Sequence, residues 1–147
     1  MKIDARCNNN CRYCHRAESD PADTHGITIH GIEPALAPGI LDLIHEHKGK
    51  DIKLVSNGRL FYYQEQCDRF IKAGVKKFEI YFFGDETEHD YHTQTPGSYH
   101  QTMQGITNLR SRTPHVEAVL ININGQSDDI VPRLREDFRK QNINFCM

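Results

Sequence analysis

Short apolar runs the length of a strand recur along this chain, at Lys2 to Arg6, Ile27 to His30, Ile52 to Val55, Phe78 to Phe83, Val116 to Ile123 and Ile143 to Cys146. Taken as predominantly apolar, they predict buried strands covered on both faces. Between most of them lie segments with helical spacing, such as Tyr63, Cys67, Phe70, Ile71 and Gly74, or Tyr99, Met103, Ile106 and Leu109. Each stripe can pack on a sheet. The first four runs start about 25 residues apart, the interval of a strand plus its crossover helix. Strand and helix in alternation fold as parallel strands joined by right-handed crossovers. Six strands are too few for the usual eight-stranded barrel. The expected fold is therefore α/β, a partial, open βα barrel of about six parallel strands.

Local punctuation agrees with that plan. Ser98 followed by Gln101 has the spacing of a capping box, Ser127 with Asp128 and Asp129 suits a helix start, and Gly74 suits a helix stop. Two segments break the rhythm. The twelve residues between Cys14 and Ile27 leave room for at most a short helix. The polar stretch from Gly84 to Ser98 reads as the longest loop, above the C-terminal edge of the sheet, where parallel α/β folds bind ligands.

The 147 residues, 37% hydrophobic and 26% charged, suit one domain spanning 1–147 with a single core. A net charge of -2 supplies no general attraction for phosphate, which argues against nucleic acid as the main partner. No run is long enough to span a membrane and no apolar leader opens the chain, so the expected location is cytoplasmic. Of five cysteines, Cys7, Cys11 and Cys14 crowd into eight residues just after the first strand. An odd count so distributed makes a poor disulfide framework and a good metal-site pattern. Thiolates on one loop can converge on an iron-sulfur cluster or on zinc. Three of them leave one iron of a four-iron cubane open to a ligand.

With Tyr13 before the last cysteine, the C-x3-C-x2-C spacing resembles the radical S-adenosylmethionine (SAM) superfamily. Gly31-Ile32-Glu33-Pro34 is similar to that family's Gly-Gly-Glu-Pro motif, and Ser56-Asn57-Gly58-Arg59 to its Thr-Asn-Gly segment. The stretch from Glu88 to Leu109 is similar to many members, so the likeness covers nearly the whole chain. The resemblance implies a [4Fe-4S] cluster held by Cys7, Cys11 and Cys14, with SAM chelating the open iron. It further implies reductive cleavage of SAM to a 5'-deoxyadenosyl radical that abstracts hydrogen from a substrate. Gly31 and Glu33 would bind the methionyl amino group, Ser56 and Asn57 would border the methionyl part, and Asn122 or Asn124 would contact SAM from the fifth strand. An electron donor is implied as a partner. The sequence departs from the pattern at Ile32, which replaces the second glycine. On the fourth strand Tyr81, Phe82 and Phe83 offer no serine for the ribose, with Asp85 or Glu86 next in line.

Each residue also has a plainer reading. The three cysteines could form a structural zinc site completed by His15 or another histidine. Glu33 could be a structural carboxylate, and Asn57-Gly58 a simple turn. Cys67 lies on a helical stripe and is expected as a buried thiol. Cys146, ending the last strand, is either exposed or a hydrogen-atom relay. His89, Asp90 and His92 are expected in a solvated loop, with substrate or a second metal as the sharper reading. The expected function is a radical SAM enzyme acting on a peptide or protein. Its alternatives are a glycyl-radical-enzyme activase, an RNA-modifying enzyme of the same superfamily, or a zinc or iron-sulfur protein that no longer cleaves SAM.

Overall fold

The computed structural model describes residues 1–3, 6–14, 26–121 and 129–147. Six strands, β1 (Lys2–Ile3), β2 (Ile27–Gly31), β3 (Ile52–Ser56), β4 (Val75–Phe82), β5 (Val116–Leu120) and β6 (Asn144–Cys146), lie side by side in chain order. Every neighbouring pair is parallel. Among the described residues five helices accompany them: α1 (Ile40–Glu46), α2 (Gln64–Ala73), α3 (Glu86–Thr93), α4 (Ser98–Arg110) and α5 (Ile130–Lys140). Single 3-10 turns occupy Pro34–Leu36 and Arg59–Tyr62. The result is an α/β fold with an open sheet, a partial βα barrel, as the strand intervals predict.

One face of the sheet packs on the helices. Leu54, Phe78, Ile80, Phe82, Ala118 and Leu120 meet Phe61, Phe70, Leu109, Leu134 and Phe138 in a single core. Side chains alternate along a strand, so Lys77, Glu79 and Tyr81 of β4 point to the opposite, concave side. There the strand is half-open, and the expectation of cover on both faces fails for β4. Among the described residues no helix is long and apolar enough to cross a membrane.

Gly74 ends α2 with φ 134°, as its placement predicts, and β4 begins at once at Val75 rather than at Phe78. Larger differences lie between β4 and α4. The polar stretch expected as a loop holds α3, whose first turn is capped by Asp85 accepting from the Glu88 N–H at 3.2 Å. The capping box expected at Ser98 is absent. Gly97 is the N-cap, and the Ser98 hydroxyl turns back to Asp90 at 2.9 Å and Thr93 at 2.7 Å. On α4 the buried stripe runs through Ser98, Thr102, Gly105, Ile106 and Leu109, leaving Tyr99 and Met103 half-buried at its edge. The Cys14–Ile27 connection and the helix start at Ser127 and Asp128 fall mostly outside the described residues, although Asp129 does stand as the N-cap of α5.

Candidate metal centre

β1 delivers the chain to the C-terminal edge of the sheet, and residues 7–14 then cross the ends of β2 to β4. Cys7, Cys11 and Cys14 line one narrow cleft together with Asn9, Tyr13, Ile32, Asn57, Tyr81 and Phe83. The three asparagines inside the C-x3-C segment are what hold its shape. Asn8 Oδ1 accepts from Asn57 Nδ2 at 2.8 Å, Asn9 Oδ1 accepts from Arg59 at 2.7 Å, and Asn10 Nδ2 donates to Gln94 Oε1 at 3.0 Å. Short amide side chains can bond to the backbone and to each other without a long flexible stem, which suits a tight loop.

The inner wall of the cleft comes from the turn after β3. Asn57 faces the loop, its Nδ2 3.6 Å from Cys7 Sγ, while its Oδ1 accepts from the Arg59 N–H at 3.0 Å. Behind it Glu33 is buried at 1% exposure, accepting from Ser56 Oγ and from the Asn57 N–H, both at 2.8 Å. Ser56 is likewise buried. Glu33 and Ser56 thus brace the turn that aims Asn57 and do not line the cleft, whereas Ile32, exposed at 39%, does. The turn itself is fixed by close contact with α4. A Cβ on Gly105 would come within 2.3 Å of the Gly58 carbonyl oxygen, so only glycine lets the helix approach this near.

The outer side is clasped by α3. Its last carbonyls, which no helical N–H can reach, accept instead from the loop: Thr93 from Asn10 N–H and His92 from Arg12 N–H, each at 2.9 Å. The Arg12 guanidinium stacks 4.1 Å over the Tyr91 ring. Asp90 ties α3 to α4 by accepting from the Gly97 N–H at 2.5 Å, the Ser98 hydroxyl and the Tyr99 N–H at 2.8 Å. Partial burial would raise its pKa, but these hydrogen bonds outweigh it and hold the carboxyl below its ordinary value. Asp90→Ala is expected to cost about 1–2 kcal/mol, the size of a lost helix cap. Urea denaturation at pH 7 checks this, and an unchanged midpoint would rule out the capping role.

Cys7 and Cys11 both resist ionisation. Burial pushes Cys7 up, with Glu33 and Cys14 adding to the rise, while hydrogen bonds from the Asn9 N–H at 3.3 Å and from Asn57 oppose it. Burial, then the neighbouring Cys7 and Cys14, push Cys11 up to about 11. Two N–H groups aimed at one sulfur are the outer support that a metal-bound thiolate needs. The donor set therefore fits a soft metal or an iron-sulfur cluster. As it stands the cleft holds about 40 Å³, enough for a few waters, and among the described residues no three His, Cys, Asp or Glu side chains are gathered closely enough to grip an ion. Tyr13 and Cys14 form the exposed side of the cleft.

Other expected residues lie elsewhere. Asn122, Asn124 and His15 are outside the described residues. Cys67 is fully buried with its thiol 3.3 Å from the Phe61 carbonyl, as its helical stripe predicts. Gly31 sits at the end of β2 against β1. Cys146 lies on β6, two strands from Tyr81 and not on the cleft; burial and then the nearby Glu117 and Glu79 push its thiol up to about 11. It belongs to a polar concave floor in which Glu79 accepts from the Tyr81 hydroxyl at 2.6 Å and pairs with Lys53 at 3.1 Å. His89 is not in a solvated loop but buried at 1% exposure, its Nδ1 accepting from the Phe83 N–H at 3.1 Å. The three asparagines had no role in the sequence reading, and Gln101, expected in a capping box, instead accepts from Arg59 Nε at 2.8 Å. The asparagine run was the readable signal, since three adjacent amides between cysteines announce a hydrogen-bonded loop. No protein-family model matches this chain, and no curated protein matches it either.

Proposed function

We propose that this protein is a radical SAM enzyme whose cysteine loop carries a [4Fe-4S] cluster with one iron left for SAM. The observation that carries the reading is that Cys7, Cys11, Cys14 and Asn57 all line one cleft at the C-terminal ends of a parallel, open sheet, with two N–H donors aimed at Cys7 Sγ. Ligand sites in such folds lie at that edge. When bound, the cluster and SAM would together supply one-electron reductive cleavage to methionine and a 5'-deoxyadenosyl radical. The chain's own residues do the rest: Asn57 and Asn9 stabilise the sulfur charge, Phe83 and Ile32 keep water from the inner wall, and α3 holds the loop. The polar floor of Lys53, Glu79 and Tyr81 beside the cleft supports a polar substrate, and the open sheet supports a large one, a peptide or protein. A cytoplasmic location and a low-potential electron donor complete the reading.

Anaerobic reconstitution with iron and sulfide tests it. About four irons per chain are expected, falling to near zero when Cys7, Cys11 and Cys14 are all replaced by alanine, with 5'-deoxyadenosine formed from SAM and dithionite. Stoichiometric zinc in place of iron would sink the reading. One observation favours a second reading, a metal protein that does not cleave SAM. Both Glu33 oxygens are occupied by Ser56 and Asn57, and the Ile32 side chain stands in the cleft. A four-iron cluster that never yields 5'-deoxyadenosine selects that reading.

A further inference from the structure

We infer that Arg59 is a positioning residue for the cysteine loop and that its charge sets the reduction potential of the cluster the loop holds; the inference rests on the cluster reading above. Arg59 opens the 3-10 turn after β3, directly behind Asn57. Its Nε donates to Gln101 Oε1 of α4 at 2.8 Å, which fixes the plane of the guanidinium from the rear. Nη1 then reaches forward to the Asn8 carbonyl oxygen and to Asn9 Oδ1. Both acceptors lie between Cys7 and Cys11, and the Asn9 N–H is one of the two donors on Cys7 Sγ. A rigid path therefore runs from α4 through Arg59 and Asn9 to a ligand sulfur.

The same placement brings a permanent positive charge to the cluster. Arg59 is partly buried, which lowers its pKa, yet a guanidinium starts so far above neutrality that it stays charged at any working pH. A cluster gains negative charge on reduction, so a fixed cation beside its ligands stabilises the reduced form and raises its potential. Removing the charge makes the cluster harder to reduce. Lysine separates the two effects, because an ammonium keeps the charge and loses the forked, planar contacts to Gln101, Asn8 and Asn9.

The experiment compares reconstituted wild type, Arg59→Gln, Arg59→Lys and Gln101→Ala. Iron release to a chelator measures loop positioning, and redox titration followed by electron paramagnetic resonance measures potential. Arg59→Gln is expected to release iron roughly tenfold faster or more, the usual penalty for losing an outer support of a metal ligand, and to titrate at a more negative potential. Arg59→Lys should restore the potential but not the retention. Gln101→Ala, which leaves Arg59 in place, should release iron faster at a near wild-type potential, and it serves if Arg59→Gln fails to fold. Loaded variants that match wild type in both measurements overturn the inference. A potential unchanged in Arg59→Gln overturns the charge effect, and unchanged iron release in both Arg59→Gln and Gln101→Ala overturns the positioning. Wild type that takes up no iron overturns the cluster reading itself, a different result from loaded proteins that do not differ.

Discussion

Replacing Gly31 by alanine is expected to destabilise the metal-free protein by about 3–5 kcal/mol, at the upper end of what single substitutions do. Two costs act together. Gly31 has φ +143°, a conformation that L side chains rarely adopt, and a Cβ built there would lie 1.9 Å from the carbonyl oxygen of Ile3. Ile3 is the register partner of Gly31 in the β1–β2 pair, so the clash falls on the backbone and no rotamer change relieves it. The strand that must move is β1, which leads within a few residues to Cys7. Loss of β1 would therefore also loosen the loop. Chemical denaturation of apo protein measures the first effect. A variant whose apo stability equals wild type but whose affinity for SAM is reduced would instead make Gly31 a cofactor contact, the role that the Gly-Gly-Glu-Pro resemblance implies. The two outcomes cannot be confused, because one needs no ligand.

The strands and the edge that holds the cleft were legible because they depend on local pattern. Ile52, Leu54 and Val55 on β3 and Val116, Ala118, Val119 and Leu120 on β5 are apolar enough to be drawn inside, and a cysteine triplet after the first strand must emerge at the C-terminal edge of the sheet. α3 was not read, since its eight residues carry no apolar stripe and its buried members are His89 and Thr93. What makes it a helix is Asp85 at the N-cap with Glu86 and Glu88 in the first turn, a signal present in the sequence but less conspicuous than the hydrophobic period it lacks. Ser98 misled for a related reason. A hydroxyl before an apolar stripe has the spacing of a cap, but Gly97 in the left-handed region and a carboxylate from the preceding helix perform that task.

Glu33 shows a different limit. Its motif assigns it to a ligand, yet a buried carboxylate must be satisfied by whatever donors surround it, and here those include Ser56 Oγ and the Asn57 N–H. The pairings of Arg59 and Gln101 were beyond the sequence altogether. Their partners lie 42 to 51 residues away, and no periodicity encodes which long side chain will reach across. The tertiary part of the site, in other words, consists of polar side chains whose choice of partner is settled only once the strands are in place.

Stability is expected to fall by about 3 kcal/mol as pH drops from 7 to 4, through one buried side chain. Burial pulls the pKa of His89 from 6.5 down to about 4; Asp90 opposes the change, while Arg59 and His92 reinforce it. Its Nδ1 accepts from the Phe83 N–H, which puts the single ring proton of the neutral form on Nε2, itself buried without a partner among the described residues. Protonating Nδ1 would turn a donor against a donor and place a cation beneath Phe83 and beside Tyr99. In the unfolded chain His89 takes up a proton near pH 6.5; in the folded chain it resists until about pH 4. The unfolded state thus binds more protons between those values, so stability is full above pH 6.5 and is lost progressively as pH falls towards 4. Carboxylates such as Asp90, whose pKa is held low, add their own loss at still lower pH. His89→Gln separates the terms, because its amide oxygen can still accept from Phe83 but does not titrate. Urea denaturation from pH 4.5 to 7.5 should show wild type losing stability on acidification while His89→Gln stays nearly flat. Parallel curves for the two proteins would show that the acid sensitivity lies elsewhere. The consequence reaches the cleft, since Phe83 is part of its inner wall and its backbone is held in place by the bond that protonation breaks.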